Sequence, residues 1–191
     1  MDIGKTLYVT SRKQWRSWLS SHHKTAGDIW LIYYKKKSGK ERIPYNDAVE
    51  EALCYGWIDS LTKPRDNESW VQRFTPRRKK SPLSETNKER VRRLIKARKM
   101  TRFGLQRIQH ELDERSVKTP KLKKFVLPAD IIKRLRSDPV VWKNFTKYPS
   151  TYQHIRVAWI DGSRHRPDIF AQRLRYFMKM TARNKKFGMV Q

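Results

Sequence analysis

The sequence predicts an α+β fold: a small antiparallel or mixed sheet with covering helices, followed by a helical C-terminal segment. Three observations predict it. Residues 28–37, DIWLIYYKKK, are nearly continuous in β-branched and aromatic side chains, the pattern of a strand buried on both faces. Residues 57–62 and 69–75 read as two strands of an antiparallel hairpin, joined by a turn-forming KPRDNE. Beyond residue 127 the apolar residues recur only at helical spacing.

Taken in order, Leu7-Tyr8-Val9 predicts a short strand, and Thr10 or Ser11 can cap a helix that buries Trp15, Trp18 and Leu19. His22 and His23 end that helix, where partial positive charge suits the dipole. After the turn Ser38-Gly39-Lys40, Asn46 caps a helix with Ala48, Val49, Ala52 and Leu53 on its apolar side, stopped by Gly56. Pro76 and Pro82 bracket a basic loop, Arg77 to Lys80. The next helix runs to about Met100, with Val91, Leu94 and Ile95 inward and Lys88, Arg92, Lys96 and Lys99 on the opposite side. Thr101 starts another, carrying Leu105, Ile108 and Leu112.

Residues 115–127 lack periodicity and read as a basic linker between an α/β domain, 1–114, and a helical domain, 128–191. Four helices are expected in the latter. Pro128 opens one with Ile131, Ile132 and Leu135, and Asp138-Pro139 caps one with Val141, Trp142 and Phe145. Pro149-Ser150 starts one with Ile155, Ala158 and Trp159, broken at Gly162. Pro167 begins the last, with Phe170, Leu174, Phe177 and Met178 inward and Arg173, Arg175 and Lys179 outward.

Charge is the main bulk feature. The chain of 191 residues holds 45 Lys and Arg against 18 Asp and Glu, a net charge of +27. Residues 61–125 alone carry 21 basic and 7 acidic side chains. Such a field attracts polyanions and repels polycations. The mean hydropathy is −0.89, but an aromatic content of 12% argues for a packed core. A single cysteine, Cys54, leaves no disulfide framework and no CxxC motif. No stretch approaches the ~18 apolar residues of a transmembrane helix, and no signal peptide is visible; the expected location is cytoplasmic.

No GxSxG, GxGxxG, P-loop or HExxH is present, the five histidines follow no metal-ligand spacing, and neither a catalytic residue, a metal nor a cofactor is expected. Cys54, on an apolar-faced helix, reads as a buried, inert thiol. At the hairpin, Trp57 and Asp59 share a face, and Arg73 next to Gln72 is expected to pair with Asp59. Trp57, Asp59, Trp70 and Gln72 are the pocket candidates. Arg73, Arg77, Arg78, Lys79 and Lys80, with Lys88, Arg92, Lys96 and Lys99, are the candidates for anion or nucleic-acid binding. The expected partner is a polyanion: nucleic acid, an acidic protein or an anionic membrane surface.

The motifs Gly56-Trp57-Ile58-Asp59 and Gln72-Arg73-Phe74-Thr75-Pro76-Arg77, the Met100-Thr101…Gly104 step, WLIYYKK and PSTYQHIRVAWI resemble the YdeI/OmpD-associated family of bacteriocin-protection-like proteins. Ser60 stands where that family usually has glycine. The resemblance implies a non-enzymatic, stress-associated binding protein with a role in tolerance of antimicrobial peptides or bacteriocins. Two alternatives stand beside it: a sequence-nonspecific nucleic-acid binder, and an enzyme or sensor with a small-anion site at Asp59, Arg73 and Arg77.

Overall fold

Local hydrogen bonding at Ser11 starts the first helix. In this computed structural model, residues 2–113, 122 and 125–188 are described. The Ser11 hydroxyl accepts from the Gln14 N–H at 3.3 Å, and the Gln14 side chain accepts from the Thr10 N–H at 2.8 Å. The Ser11 cap, with Gln14 reaching back to the residue before it, fixes the start of α1 (Arg12–His22).

The strands β1 (Thr6–Leu7), β2 (Ile29–Tyr34), β3 (Trp57–Pro64) and β4 (Ser69–Pro76) form one sheet in the order β1-β2-β4-β3. β1 runs parallel to β2 and the other neighbours are antiparallel, so the sheet is mixed and the fold class is α+β. Among the described residues, those of 1–82 and 90–121 form one compact unit, and those of 83–89 and 122–191 a second. Most of the basic linker expected at 115–127 lies outside the described residues.

In the first unit, strand pairing sorts side chains onto two faces. Ile29 pairs with Phe74, Leu31 with Gln72 and Tyr33 with Trp70, and these share one face. Trp30, Ile32 and Val71 form a buried cluster on the other, so β2 is buried on both faces as its sequence predicts. α1 and α2 (Tyr45–Cys54) cover the first face. Trp15 packs against Phe74, with ring centroids 5.4 Å apart, and its indole N–H donates to the Ala48 carbonyl at 3.0 Å.

Charge ties the two helices together. Glu51, 3% exposed, accepts from Arg12 Nε at 2.8 Å and Arg16 Nη1 at 2.7 Å. Arg12 also reaches Asp47 and Glu50. Asn46 does not cap α2 as expected. Its side chain accepts from Arg90 instead, at 2.7 Å, and Pro44 occupies the cap position with no side-chain hydrogen bond.

Two further helices differ from their expected lengths. α3 (Glu85–Lys96) stops four residues before Met100. Lys99 N–H bonds back to the Leu94 carbonyl and Arg98 N–H to Ile95, with Arg98 in the left-handed region at φ 54°. That is a Schellman ending made without glycine. α4 (Arg102–Arg107) ends before Ile108, and a 3-10 turn, Gln109–Glu111, follows, so Leu112 leaves the helical stripe.

Glycine seats α4. Thr101 donates both its N–H (3.1 Å) and its hydroxyl (2.7 Å) to the Cys54 carbonyl at the end of α2. Its hydroxyl also accepts from Gly104 N–H at 3.1 Å. A Cβ on Gly104 would collide with that same carbonyl. The Thr101…Gly104 step is therefore a close docking of one helix start on another helix end.

The second unit contains α5 (Ala129–Arg136), α6 (Pro139–Lys147), α7 (Ser150–Asp161) and α8 (Pro167–Ala182). Asp138 Oδ1 caps α6 by accepting from Val140 and Val141 N–H, and Pro139 opens it as expected. Ile131, Leu135, Val141, Phe145, Ile160 and Phe177 lie in the core. The buried side of α7 is Tyr152, Ile155, Arg156, Val157 and Ile160, while Ala158 and Trp159 are only half-buried.

Replacing Gly104 with Ala is expected to lower stability by about 2 kcal/mol in urea denaturation, whereas Gly27→Ala, with nothing within 4 Å of the new Cβ, stays near neutral. Arg98→Gly is expected to raise stability by about 0.5–1 kcal/mol by relieving the left-handed backbone.

Candidate anion-binding site

The hairpin supplies the first candidates, and strand register decides their fate. Asp59 pairs with Phe74 and Trp57 with Pro76, which turns Arg73 to the opposite face. The expected Asp59–Arg73 ion pair is therefore absent. Asp59 accepts from the Tyr45 hydroxyl at 2.5 Å, and Arg73 pairs with Asp28, its Nη2 2.7 Å from Oδ2. Arg77 lies apart from both: it is 4% exposed and donates to the Ser81 and Pro82 carbonyls at 2.8 and 3.2 Å. The structure does not bring Asp59, Arg73 and Arg77 into one small-anion site.

The other hairpin candidates share a face but serve packing. Trp57 is fully buried, donates to the His23 carbonyl at 3.1 Å and meets Trp18 edge-on. Gln72 accepts from the Thr62 hydroxyl and donates to the Leu61 carbonyl where β3 shifts register, bridging the irregularity. Trp70 stacks on Tyr33 at 4.3 Å. Burial raises the Tyr33 hydroxyl above its ordinary pKa. Burial, then the hydrogen bond to Asp59, raises Tyr45 in the same way.

The basic loop is different. Ser81 N–H closes a turn onto the Arg78 carbonyl at 3.2 Å, with Lys80 at φ 62°. A lysine in this conformation carries backbone strain, since φ above zero favours glycine. Arg78, Lys79 and Lys80 are exposed. Lys79 and Lys80 line a cleft of about 680 Å³ together with Phe103, Gln106, Arg107, Gln109 and His110. None of these lining residues is acidic. Arg107 lies over the Phe103 ring at 5.0 Å and donates to the Arg77 carbonyl at 3.4 Å. His110 Nε2 is 3.1 Å from the Ser81 carbonyl. Buried Arg77 thus shapes the turn from below, and the turn presents the two lysines.

Phe103, Arg107 and His110 escape a reading based on runs of charge. The signal was present nonetheless: Phe103 and Arg107 stand four residues apart on one helix, where side chains meet.

The helix candidates are divided. Lys88 pairs with Glu85 at 3.0 Å, and Arg92 is half-buried. Lys96 and Lys99 are exposed. Arg90 and Arg93 turn to Asn46 and Glu50 on α2. These two arginines, which lie outside the expected row, thus form a helix–helix contact.

Cys54 is fully buried, and burial pushes its thiol up to about 11. A protonated, enclosed thiol is a poor nucleophile. Among the described residues, no three His, Cys, Asp or Glu side chains gather as metal ligands, and no helix is long and apolar enough to cross a membrane.

Residues 7–107, more than half of the chain, match the family described as a domain of unknown function, DUF8412. The chain belongs to this family. Residues 124–184 match the family described as bacteriocin-protection, YdeI or OmpD-associated. The resemblance read from the sequence is thus shown by a match in the helical part, which includes PSTYQHIRVAWI. The GWID and QRFTPR motifs fall instead within the DUF8412 match, as does the Thr101…Gly104 docking step. No curated protein and no solved structure matches the chain significantly.

Native Cys54 is expected to resist a thiol reagent at pH 8 and to react only after unfolding. Because its folded pKa lies above the unfolded value, its contribution is complete below about pH 9 and is lost as the pH rises toward 11. Stability should fall over this window by on the order of 2 kcal/mol. Cys54→Ala should lessen the slope without abolishing it, since Tyr33 and Tyr45 act with the same sign.

Proposed function

We propose that this protein is a non-enzymatic, stress-associated binding protein that acts through an anionic partner, and that the partner is nucleic acid bound without sequence preference. The observation that carries the reading is the cleft at the 78–81 turn, which Lys79, Lys80, Arg107 and His110 line together with Phe103 and which has no acidic residue in its lining, the 8%-exposed Glu111 lying behind His110 at 3.9 Å. Phosphates meet the lysines, and an unpaired base stacks against the Phe103–Arg107 pair. An acidic protein or an anionic membrane surface offers matching charge but no base, so single-stranded nucleic acid fits this chemistry best.

The description matched by residues 124–184 supports a protective role. In a chain of net charge +27, direct capture of a cationic peptide would work against Coulomb repulsion. Protection through an anionic target inside the cell avoids that conflict, and accords with a cytoplasmic location. The expected division into a domain over 1–114 and another over 128–191 would let the basic cleft and the YdeI/OmpD-associated part act separately.

The test is anisotropy of a labelled single-stranded oligonucleotide, titrated with the full chain at several salt concentrations. Affinity is expected to fall steeply with salt. The Lys79→Ala/Lys80→Ala double variant should reduce the salt slope by roughly 1.4, at about 0.7 per lost phosphate contact. Phe103→Ala should weaken single-strand binding more than duplex binding. Negligible binding near physiological salt would overturn the nucleic-acid reading.

A further inference from the structure

Arg156 is a buried charge that no carboxylate among the described residues pairs with. It lies in the second unit on the buried side of α7 and is 7% exposed. Buried guanidinium groups are ordinarily held by carboxylates or carbonyls. Here Nε has no acceptor, and no carboxylate among the described residues pairs with the group. Its neighbours are rings: the guanidinium carbon stands 4.6 Å from the centre of Phe187 and 5.4 Å from that of Tyr152. Gly188, at φ 77°, brings backbone so close that a Cβ there would collide with the guanidinium.

Arg156 lines a cleft of about 580 Å³ in this unit. Arg166 and Arg173 join it there, with Trp159, Tyr176 and Phe187, and the lining holds no acidic side chain. Arg173, expected to point outward, folds back over Trp159 at 4.7 Å and donates to its carbonyl at 2.6 Å. Phe187 meets Trp159 and Tyr176 edge-on. Three arginines and three aromatic residues thus line one space of the size that small-molecule sites occupy.

We propose that this cleft is a binding site for a small organic anion, a carboxylate or phosphate carried on a flat apolar body. Arg156 receives the anion, Arg173 and Arg166 add charge at the mouth, and the rings take the flat body. A guanidinium matches both oxyanions bidentately, and the rings favour a planar scaffold over a bare ion. A buried guanidinium that no carboxylate among the described residues pairs with is what a site held ready for an anion requires. This site is separate from the cleft at Lys79 and Lys80 and does not depend on it.

The test is calorimetric titration of the full chain with naphthoate, naphthyl phosphate, neutral naphthamide and inorganic phosphate. At least one naphthyl anion is expected to bind, with the amide and inorganic phosphate at least tenfold weaker. The ratio of the two naphthyl anions identifies the headgroup. Arg156→Met should lose at least tenfold in anion affinity without lowering the melting temperature, because it removes a buried charge that no carboxylate among the described residues pairs with. Arg173→Gln, at a half-buried position, should weaken the same ligand several-fold and serves as the deciding variant if Arg156→Met fails to fold. Lys79→Ala/Lys80→Ala should bind the naphthyl anion as the parent chain does, which separates this result from that of the nucleic-acid titration. Absence of naphthyl-anion binding, equal binding of the amide, or unchanged affinity in Arg173→Gln overturns the proposal.

Discussion

The carboxylate of Glu51 is the point on which the first unit depends. It is nearly enclosed, and two arginines of α1 hold its two oxygens. A buried carboxylate is tolerated only when its lone pairs are met, so its presence on α2 dictates where α1 must lie. One of the same arginines, Arg16, also donates to the Lys99 carbonyl at 3.1 Å, reaching the segment that leads into α4. A few residues further along, the end of α2 receives Thr101 on the Cys54 carbonyl. The end of one short helix thereby orients α1 and α4, and through α4 the ring of Phe103 and the guanidinium of Arg107.

This arrangement changes how the net charge is to be understood. Several arginines are held by carboxylates of the first unit: Arg12 and Arg16 by Glu51, Arg73 by Asp28, and, at the surface, Arg93 by Glu50. Arg77 is retained inside as a cap for two loop carbonyls, a role its neighbours Arg78, Lys79 and Lys80 do not share. Burial lowers the pKa of Arg77, but its hydrogen bonds explain why it is there. Burial lowers Arg156 too; both arginines leave Nε without an acceptor, but where Arg77 Nη2 meets two carbonyls, the contacts of the Arg156 guanidinium among the described residues are with aromatic rings. The contrast between these two enclosed arginines separates a structural charge from one held in reserve.

Much of the fold was legible in the sequence, because it rests on local rules. The continuous apolar run of β2, the hairpin turn, the Ser11 cap and the Asp138-Pro139 helix start each follow from side chains acting within a few residues. The site was legible only in part. Lys79 and Lys80 stand out as a basic run, but Phe103 and His110 become their neighbours through the docking of α4, which no local pattern announces.

What the sequence alone determined was the α+β class, the succession of elements and the excess of positive charge, since these follow from periodicity, turn chemistry and composition. The tertiary structure decided which charges were spent. A bulge and a strand register, each a matter of one residue, sent Arg73 away from Asp59 and toward Asp28. The packing of α7 turned Arg156 inward beside Ile155 and left Trp159 at the cleft. Both outcomes depend on which surfaces meet across long stretches of chain, and side-chain spacing along one element carries no record of its partner.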